Sequence, residues 1–205
     1  PPPPRRTLFP YTTLFRSPHL DDETRIFIVN LQAQIRRLTD LVEDLLLFSR
    51  DVPLESAEPV PLAPLLSDVA DELAALADEK CIAVRVQETQ AVVRGQDGLL
   101  ERVFYNLLEN AIKYSPAGTA IDVAVGTDGE CTTVSFADEG CGVPEELREA
   151  IFEPFFRVDA SRSHLTGGNG LGLALCKKIL ERHGASIRVL PHTPRGSIFQ
   201  VSFPA

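Results

Sequence analysis

Residues 21–50 carry apolar side chains at helical spacing. Steps of three and four alternate along one stripe of this segment: Ile28, Leu31, Ile35, Leu38, Val42 and Leu45. A lone helix cannot bury such a stripe, so the stripe needs another helix or a second copy of the chain. We favour a homodimer through this helix over a helix that packs on its own domain.

The rest of the chain mixes helical and alternating patterns. Helical spacing predicts helices at 65–80, 97–114, 144–151 and 170–183. Alternation of apolar and polar residues predicts strands at 81–87, 120–126, 132–137, 186–190 and 197–203. Because the strands come largely in adjacent pairs, this order predicts an α+β fold, a two-layer sandwich with helices over one face of a mixed sheet. It argues against a doubly wound parallel sheet.

Two stretches lie outside these patterns. Residues 1–20 have no apolar period, and residues 7–17 resemble the conceptual translation of a sequencing adapter, so we expect a non-native or disordered tail. Residues 51–61 are rich in proline and are expected to form a linker or an extended, strand-like connection. This division leaves residues 62–205 as the main domain. The chain has no methionine and so no initiator, from which we expect a fragment, a processed chain or a mis-called reading frame.

Composition narrows the classes of protein. Hydrophobic residues make up 44% and charged residues 24% of the 205 positions, as in soluble globular proteins. The formal net charge of −9 argues against a general nucleic-acid binder. No apolar run is long enough for a membrane helix, so we expect none in these residues. The spacing of the cysteines favours a cytoplasmic location for these residues. Four cysteines without a C-x-x-C pair are expected to be small core residues in a reducing compartment: Cys81, Cys131, Cys141 and Cys176.

The helix predicted at 97–114 has two faces of different chemistry. Its apolar face holds five residues at the 3.6-residue period: Leu100, Phe104, Leu107, Leu108 and Ala111. Asn106, Asn110 and Lys113 lie at i, i+4 and i+7 on roughly the opposite face. An amide oxygen can help to hold Mg²⁺ beside a phosphate, and a lysine ammonium can pair with the same phosphate. A solvated helix face is the alternative.

A glycine-containing turn follows the strand predicted at 132–137. Asp138 stands at the tip of that strand, and Gly140 and Gly142 let the backbone turn tightly and approach a flat ligand. A carboxylate buried there can accept a hydrogen bond from an exocyclic amine such as that of adenine. The same pattern also occurs in ordinary turns, so alone it is a weak signal.

A second glycine-rich segment, at 167–172, opens the helix predicted at 170–183. Its glycines free backbone N–H groups to meet an anion at the helix N-terminus. The spacing is neither that of a P-loop nor that of the dinucleotide pattern G-x-G-x-x-G. Upstream, the aromatic residues of 152–157 flank the polar residues 159–166, a pattern typical of a lid over a nucleotide. A surface loop with an aromatic anchor is the alternative.

In this order and spacing, the motifs resemble the catalytic ATP-binding domain of sensor histidine kinases, in the GHKL superfamily with the Bergerat fold. The matching segments are an N box at 106–114, a G1 box at 138–142, an F box at 152–157 and a G2 box at 168–173. The resemblance covers residues 62–205. Residues 36–46 resemble the second helix of the family's dimerisation and phosphotransfer bundle, in agreement with the apolar stripe.

The resemblance implies a site for ATP. Asp138 would bind the adenine amine, and Tyr114 would pack near the base. Asn110 would coordinate Mg²⁺, while Asn106 and Lys113 would line the phosphate side. The rest of the pocket would be shaped by residues of the other boxes: Gly140, Gly142, Phe155, Arg157, Gly168, Gly170, Leu171 and Gly172. The implied activity is transfer of the γ-phosphoryl group of ATP to a histidine, for relay to an aspartate in the receiver domain of a response regulator.

Two features refine this reading. The ATP-hydrolysing members of the superfamily carry a glutamate at the position that matches Asn106, and an amide cannot take a proton from water, so transfer is favoured over hydrolysis. The family's phosphoacceptor box, His-Glu/Asp-x-x-x-Pro, has no match, since His19 lacks the downstream proline. We therefore expect that this chain alone cannot autophosphorylate. His164, His183 and His192 are expected to be surface or helix-capping residues.

Two alternatives stay open. One is a serine kinase of the anti-sigma-factor class, which resembles the same ATP domain but lacks the bundle helix that residues 28–45 predict. The other is a dimerising module whose nucleotide site has no activity. The sequence does not identify the stimulus, the cognate response regulator or any phosphatase activity. Many kinases that the chain resembles are membrane-anchored sensors, so the parent protein could be one as well.

Overall fold

The computed structural model describes residues 22–49, 57–158 and 170–204. The chain divides into two compact units, residues 1–43 and 44–205. The predicted tail at 1–20 lies outside the described residues. Within the described ranges, the helices are too short or too polar to cross a membrane.

The long helix α1 spans Asp22–Ser49, close to the predicted bounds. Large apolar side chains along it are 47–66% exposed: Phe27, Val29, Leu31, Ile35, Leu38, Val42, Leu45 and Leu46. Five of the six predicted stripe positions are among them. These stripe residues are therefore exposed in a single chain, and their pairing with a partner helix stays a prediction.

The second unit contains four further helices and seven strands in the described ranges. In chain order these are β1 (Glu58–Pro61), α2 (Leu62–Glu72), α3 (Ala74–Glu79), β2 (Ala83–Val86), β3 (Val92–Gly95), α4 (Asp97–Tyr114), β4 (Ala120–Thr127), β5 (Cys131–Ala137), α5 (Gly172–Arg182), β6 (Ser186–Pro191) and β7 (Ser197–Pro204). Two short 3₁₀ helices, Glu145–Leu147 and Ala150–Phe152, replace the single helix predicted at 144–151.

The strands form one large and one small sheet. The large sheet has the order β2-β4-β5-β7-β6, with β2 parallel to β4 and the other neighbours antiparallel. The small sheet pairs β1 with β3 in antiparallel fashion. The mixed sheet of the prediction is therefore confirmed. The sequence analysis did not predict strand β3. The stretch at 51–61 was expected to be a linker or a strand-like connection, and its last four residues form strand β1.

The helix predicted at 65–80 is interrupted at Leu73. The N–H of Leu73 still donates to Val69 O at 3.2 Å, and the N–H of Ala77 donates to Leu73 O at 3.0 Å. Both bonds keep the four-residue helical spacing. The break between α2 and α3 is therefore local, and the buried face of the predicted helix runs through it.

Helix α4 is the centre of the core. The five residues predicted on its apolar face are all at most 1% exposed. The Phe104 ring lies 5.9 Å from that of Phe136 on β5 and 6.5 Å from that of Phe203 on β7, distances typical of packed aromatic pairs. Residues along β7 alternate between buried and half-exposed, so the helices cover one face of the sheet. This confirms the α+β sandwich of helices over a mixed sheet.

The cysteines do not follow the prediction. Cys176 on α5 is buried, but Cys81 and Cys141 are exposed and Cys131 is half-exposed. The expectation of core residues is therefore wrong for three of the four. Cys81 and Cys141 lie in turns, and Cys81 has a positive φ of 53°, so their apolar neighbours in the sequence do not carry them into the core.

Candidate functional site

The amides of α4 do not all lie opposite the core. Asn106 is only 8% exposed, whereas Asn110 and Lys113 are half-buried. The reason is Gly172, the first residue of α5: a Cβ placed on it would lie 3.3 Å from Asn106 Oδ1. The prediction of a face opposite the core is therefore wrong for Asn106, which lies where two helices meet.

The amide nitrogen of Asn106 is a buried hydrogen-bond donor. Its Nδ2 has no hydrogen-bond partner among the described residues. Leaving such a donor unpaired in the interior costs about 1–3 kcal/mol. The oxygen of the same side chain, Oδ1, lies toward Gly172. An amide can bind an anion through its nitrogen and a cation through its oxygen. The described ranges contain no cluster of three or more His, Cys, Asp or Glu side chains that could hold a metal ion.

Asp138 lies at the end of β5 and is 4% exposed. Its Oδ1 accepts the N–H of Gly140 at 2.7 Å and the N–H of Ser197 at 3.2 Å. Burial raises the pKa of Asp138 above its usual value, against the opposite effect of these two hydrogen bonds and of nearby His192. Both bonds end on Oδ1, which leaves Oδ2 for another donor.

The turn after Asp138 is built from close backbone approaches. A Cβ on Gly140 would lie 2.7 Å from Asp138 Oδ1 and 2.9 Å from Tyr114 O. Gly142 has a φ of 74°, in the region that favours glycine. A Cβ on Gly196, in the β6–β7 connection, would overlap the carbonyl oxygen of Asp138. Side chains are therefore excluded at three positions around this carboxylate.

The β6–β7 connection contributes contacts that the sequence analysis missed. His192 Nδ1 donates to Asp138 O at 2.7 Å, and Arg195 Nε donates to Gly140 O at 2.9 Å. The N–H of Asp138 donates to Ser197 O at 2.9 Å. His192 is thus more than the surface residue that was expected. Residues 193–196 read Thr-Pro-Arg-Gly, a composition typical of a turn, but nothing local in the sequence indicates which loop this turn would contact.

His183 joins the two helices of the site. Its Nδ1 donates to Ile179 O at 2.7 Å, which caps α5 as predicted. Its Nε2 accepts the N–H of Gln96, just before α4, at 3.0 Å. These roles require the neutral ring, and burial lowers the pKa of His183 below its usual 6.5. The sequence did not indicate the second bond.

The start of α5 is tied to the predicted F box. The N–H of Phe155 donates to Gly170 O at 2.8 Å, and a Cβ on Gly170 would lie 2.9 Å from Phe155 Cα. The Phe155 side chain is 66% exposed, Arg157 is half-buried and Leu171 is buried. Gly168 and the predicted lid lie outside the described residues.

Both glycine segments border α4. Gly172 lies against Asn106 in the middle of the helix, and Gly140 lies against the carbonyl of Tyr114 at its end. The Tyr114 side chain itself is about half-exposed. The structure therefore brings the turn at Asp138 and the start of α5 against the same helix, α4, which carries the predicted amides.

Residues 95–205 match the family described as histidine kinase-, DNA gyrase B-, and HSP90-like ATPase. The sensor-like histidine kinase SenX3 of Mycolicibacterium smegmatis is 35% identical over 190 residues, which cover 89% of this chain and 49% of SenX3. The chain thus spans about half the length of this curated relative.

Solved structures agree in fold. Full-length ShkA in complex with AMPPNP is 29% identical, with a TM-score of 0.73 over 90% of this chain and 39% of ShkA. The mycobacterial sensor histidine kinase MprB is also 29% identical, with a TM-score of 0.64 over 72% of this chain and 97% of that one.

Proposed function

The chain belongs to the family of histidine kinase-, DNA gyrase B- and HSP90-like ATPases, and on this premise we propose that residues 62–205 are the ATP-binding catalytic domain of a sensor histidine kinase. Its reaction is transfer of the γ-phosphoryl group of ATP to a histidine, followed by relay to a response-regulator aspartate. The observation that carries the proposal is that α4 contacts both parts of the site. The amide of Asn106, unpaired among the described residues, lies against Gly172 in the middle of the helix, and the carbonyl of Tyr114 at its end lies against Gly140, in the turn that holds the buried carboxylate of Asp138. The AMPPNP in the ShkA complex supports a nucleotide as the ligand.

The base is recognised at Asp138. Its Oδ2 accepts the exocyclic amine of adenine, because Oδ1 is held by the N–H groups of Gly140 and Ser197. A buried carboxylate left without this donor would be desolvated for no gain, so bases that lack an amine are rejected. Tyr114, exposed beside the same turn, packs near the base.

The phosphates lie along α4 toward α5. Asn106 Nδ2, which is buried and unpaired among the described residues, donates to a phosphate oxygen. Lys113 pairs with the phosphates, and the N-terminus of α5, which has no side-chain cap, presents N–H groups to them. Phe155, Arg157, Gly170 and Leu171 border this end.

Mg²⁺ fits this chemistry, because an amide oxygen is a hard, neutral ligand and phosphate oxygens supply the charge. Asn110 Oδ1 would hold it. The bound ion would neutralise charge on the γ-phosphoryl group. Asn106 cannot act as a base toward water, so the site favours transfer to an incoming nucleophile over hydrolysis.

Dimerisation through α1 is the second part of the proposal. Its exposed apolar stripe, with Leu38 and Val42 above 50% exposure, supports pairing with the same helix of a second chain. The serine-kinase alternative is less favoured because the chain carries this helix. A receiver domain as partner follows from the kinase assignment and belongs to the proposal.

Calorimetry on the full chain tests the ligand. Titration with AMPPNP and Mg²⁺ is expected to show one site per chain, and Asn110→Ala is expected to weaken it at least tenfold. Gln87→Ala, on an exposed residue after β2, is the matched control and leaves the affinity unchanged. A well-folded chain that releases no heat would refute nucleotide binding.

Phosphotransfer needs an acceptor. The chain is fused to a bundle helix that bears a phosphoacceptor histidine and is incubated with labelled ATP. Acid-labile, alkali-stable label is expected on the fusion. Acid-stable label on a serine of an added protein would instead support the serine-kinase alternative, and no label on either would contradict both.

A further inference from the structure

Lys80 directly follows α3, and its side chain contacts the end of α4. Its Nζ donates to the carbonyl oxygens of Ile112 at 2.8 Å, Lys113 at 2.7 Å and Ser115 at 3.1 Å. Its own carbonyl accepts the N–H of Gly118 at 2.9 Å. One residue thus holds both the last turn of α4 and the loop that follows it.

These carbonyls need such a partner. The last four carbonyls of a helix have no partner within it and carry the negative end of the helix dipole. After the helix, Ser115 is followed by Pro116, which has no N–H to offer. An ammonium group has three donors, and all three are used here. Methionine has similar length and no donor, so it would leave the carbonyls unpaired.

The carbonyl groups that Lys80 binds lie on both sides of the contact between α4 and the Asp138–Gly142 turn. Tyr114 lies between Lys113 and Ser115, and its carbonyl is the one that packs against Gly140. The N–H of Gly140 in turn donates to Asp138 Oδ1. A shift of the last turn of α4 would therefore move the Asp138–Gly142 turn relative to Asn106 and Asn110, which lie earlier on the helix.

We propose that Lys80 is a positioning residue of the nucleotide site: its ammonium group fixes the last turn of α4 against the Asp138–Gly142 turn and so sets the spacing between the base and phosphate ends. The role of the spacing rests on the proposed function. The contact itself, from Lys80 through Tyr114 to Gly140, does not.

The test compares Lys80→Met with Lys80→Arg and with Lys177→Met, which removes a half-exposed lysine of α5. Two readouts are taken on the full chain well below the unfolding temperature. One is the backbone amide resonance of Gly140 without ligand. The other is the Kd for AMPPNP with Mg²⁺. Lys80→Met is expected to shift the Gly140 resonance and to raise Kd at least tenfold.

Rescue separates positioning from general stability. Lys80→Arg keeps several donors and is expected to bring Kd to within about threefold of the starting value, while Lys177→Met changes neither readout. If Lys80→Met lowers only the unfolding temperature and leaves Kd within twofold, the proposal is overturned.

Two other outcomes are also decisive. If Lys80→Met does not fold, Lys80→Gln with one donor pair replaces it; failure of both to fold makes Lys80 a folding residue and overturns the proposal. If the starting chain binds no AMPPNP, the proposed function fails, and the Gly140 resonance alone decides: its shift in Lys80→Met upholds the contact, and its constancy refutes it.

Discussion

Replacing Asp138 by asparagine tests base recognition with almost no change of shape. Asp138 Oδ1 accepts two backbone N–H groups, from Gly140 and Ser197. The carbonyl oxygen of asparagine can accept both. The second oxygen becomes an NH₂ group, which would face the adenine amine in the proposed complex. An acceptor is thus exchanged for a donor at one atom.

Stability should survive this exchange. Burial raises the pKa of Asp138 above 3.8, so the folded state favours the protonated form. The stability that this group contributes falls as the pH rises from 3.8 through the raised pKa, and the ionised form is a net cost at neutral pH. A neutral amide removes that cost. We expect Asp138→Asn to fold at pH 7 at least as stably as the parent chain.

Affinity for ATP should collapse. A hydrogen bond to a charged group is worth about 1.5–3 kcal/mol, and a buried donor facing another donor adds about 1–3 kcal/mol. Together these give about 2.5–6 kcal/mol, a loss of at least about 60-fold in affinity. A nucleotide with hypoxanthine as its base carries an oxygen in place of the amine, so its affinity for Asp138→Asn should rise relative to that of the adenine nucleotide.

The assay is calorimetry with both nucleotides, after circular dichroism has established the fold. Asp122→Asn is the matched control, since Asp122 lies exposed on β4 in a weak pair with Arg85 at 3.6 Å. It should leave both affinities unchanged. If folded Asp138→Asn binds the adenine nucleotide within threefold of the parent chain, the carboxylate does not read the base.

Three further predictions concern other parts of the molecule. Gly196→Ala should destabilise the fold by about 2–4 kcal/mol in denaturant titration, because its Cβ would overlap a backbone carbonyl. Gly118→Ala, at a positive φ of 78° with open space around the new Cβ, should cost only about 1–2 kcal/mol, and equal losses would refute the overlap. Because the pKa of His183 is lowered below 6.5, stability should fall as the pH drops below 6.5, more steeply than in His183→Gln; parallel pH profiles would exclude this. Leu38→Glu places a charge on the apolar stripe of α1 and should convert the dimer to a monomer, whereas Gln34→Glu should leave the dimer intact. Light scattering measures both masses, and a parent chain that is already monomeric contradicts the dimer.

The main helix and the layer order could be predicted because their signals are local. Helix α4 begins and ends where the sequence places it, with Asp97 in its first turn and Pro116 just beyond its end. Its apolar period fixes the buried face, and the paired strands that follow fix the sheet next to it. The strands β1 and β3 have four residues each, and β1 is half proline, so neither has a recognisable alternation.

The contacts around Asp138 could not be predicted, because they join residues far apart in the sequence. Ser197 and His192 are more than fifty positions from Asp138, and their turn resembles any hairpin connection. The same holds for Lys80, whose acceptors lie more than thirty positions away. Spacing within an element predicts which side chains share a face. It contains no information on what will cover that face.

Asn106 illustrates both points: the helical period sets its position on α4, but a distant segment of the sequence covers it. The helical period places it away from the apolar stripe, and a polar side chain there suggests exposure to solvent. Yet α5 covers it, and its nitrogen stays unpaired among the described residues at a cost of about 1–3 kcal/mol. A leucine or alanine would remove that cost. Under the proposed function, a phosphate oxygen would complete the hydrogen bonds of this buried amide, which lies between the start of α5 and Lys113, two turns further along α4.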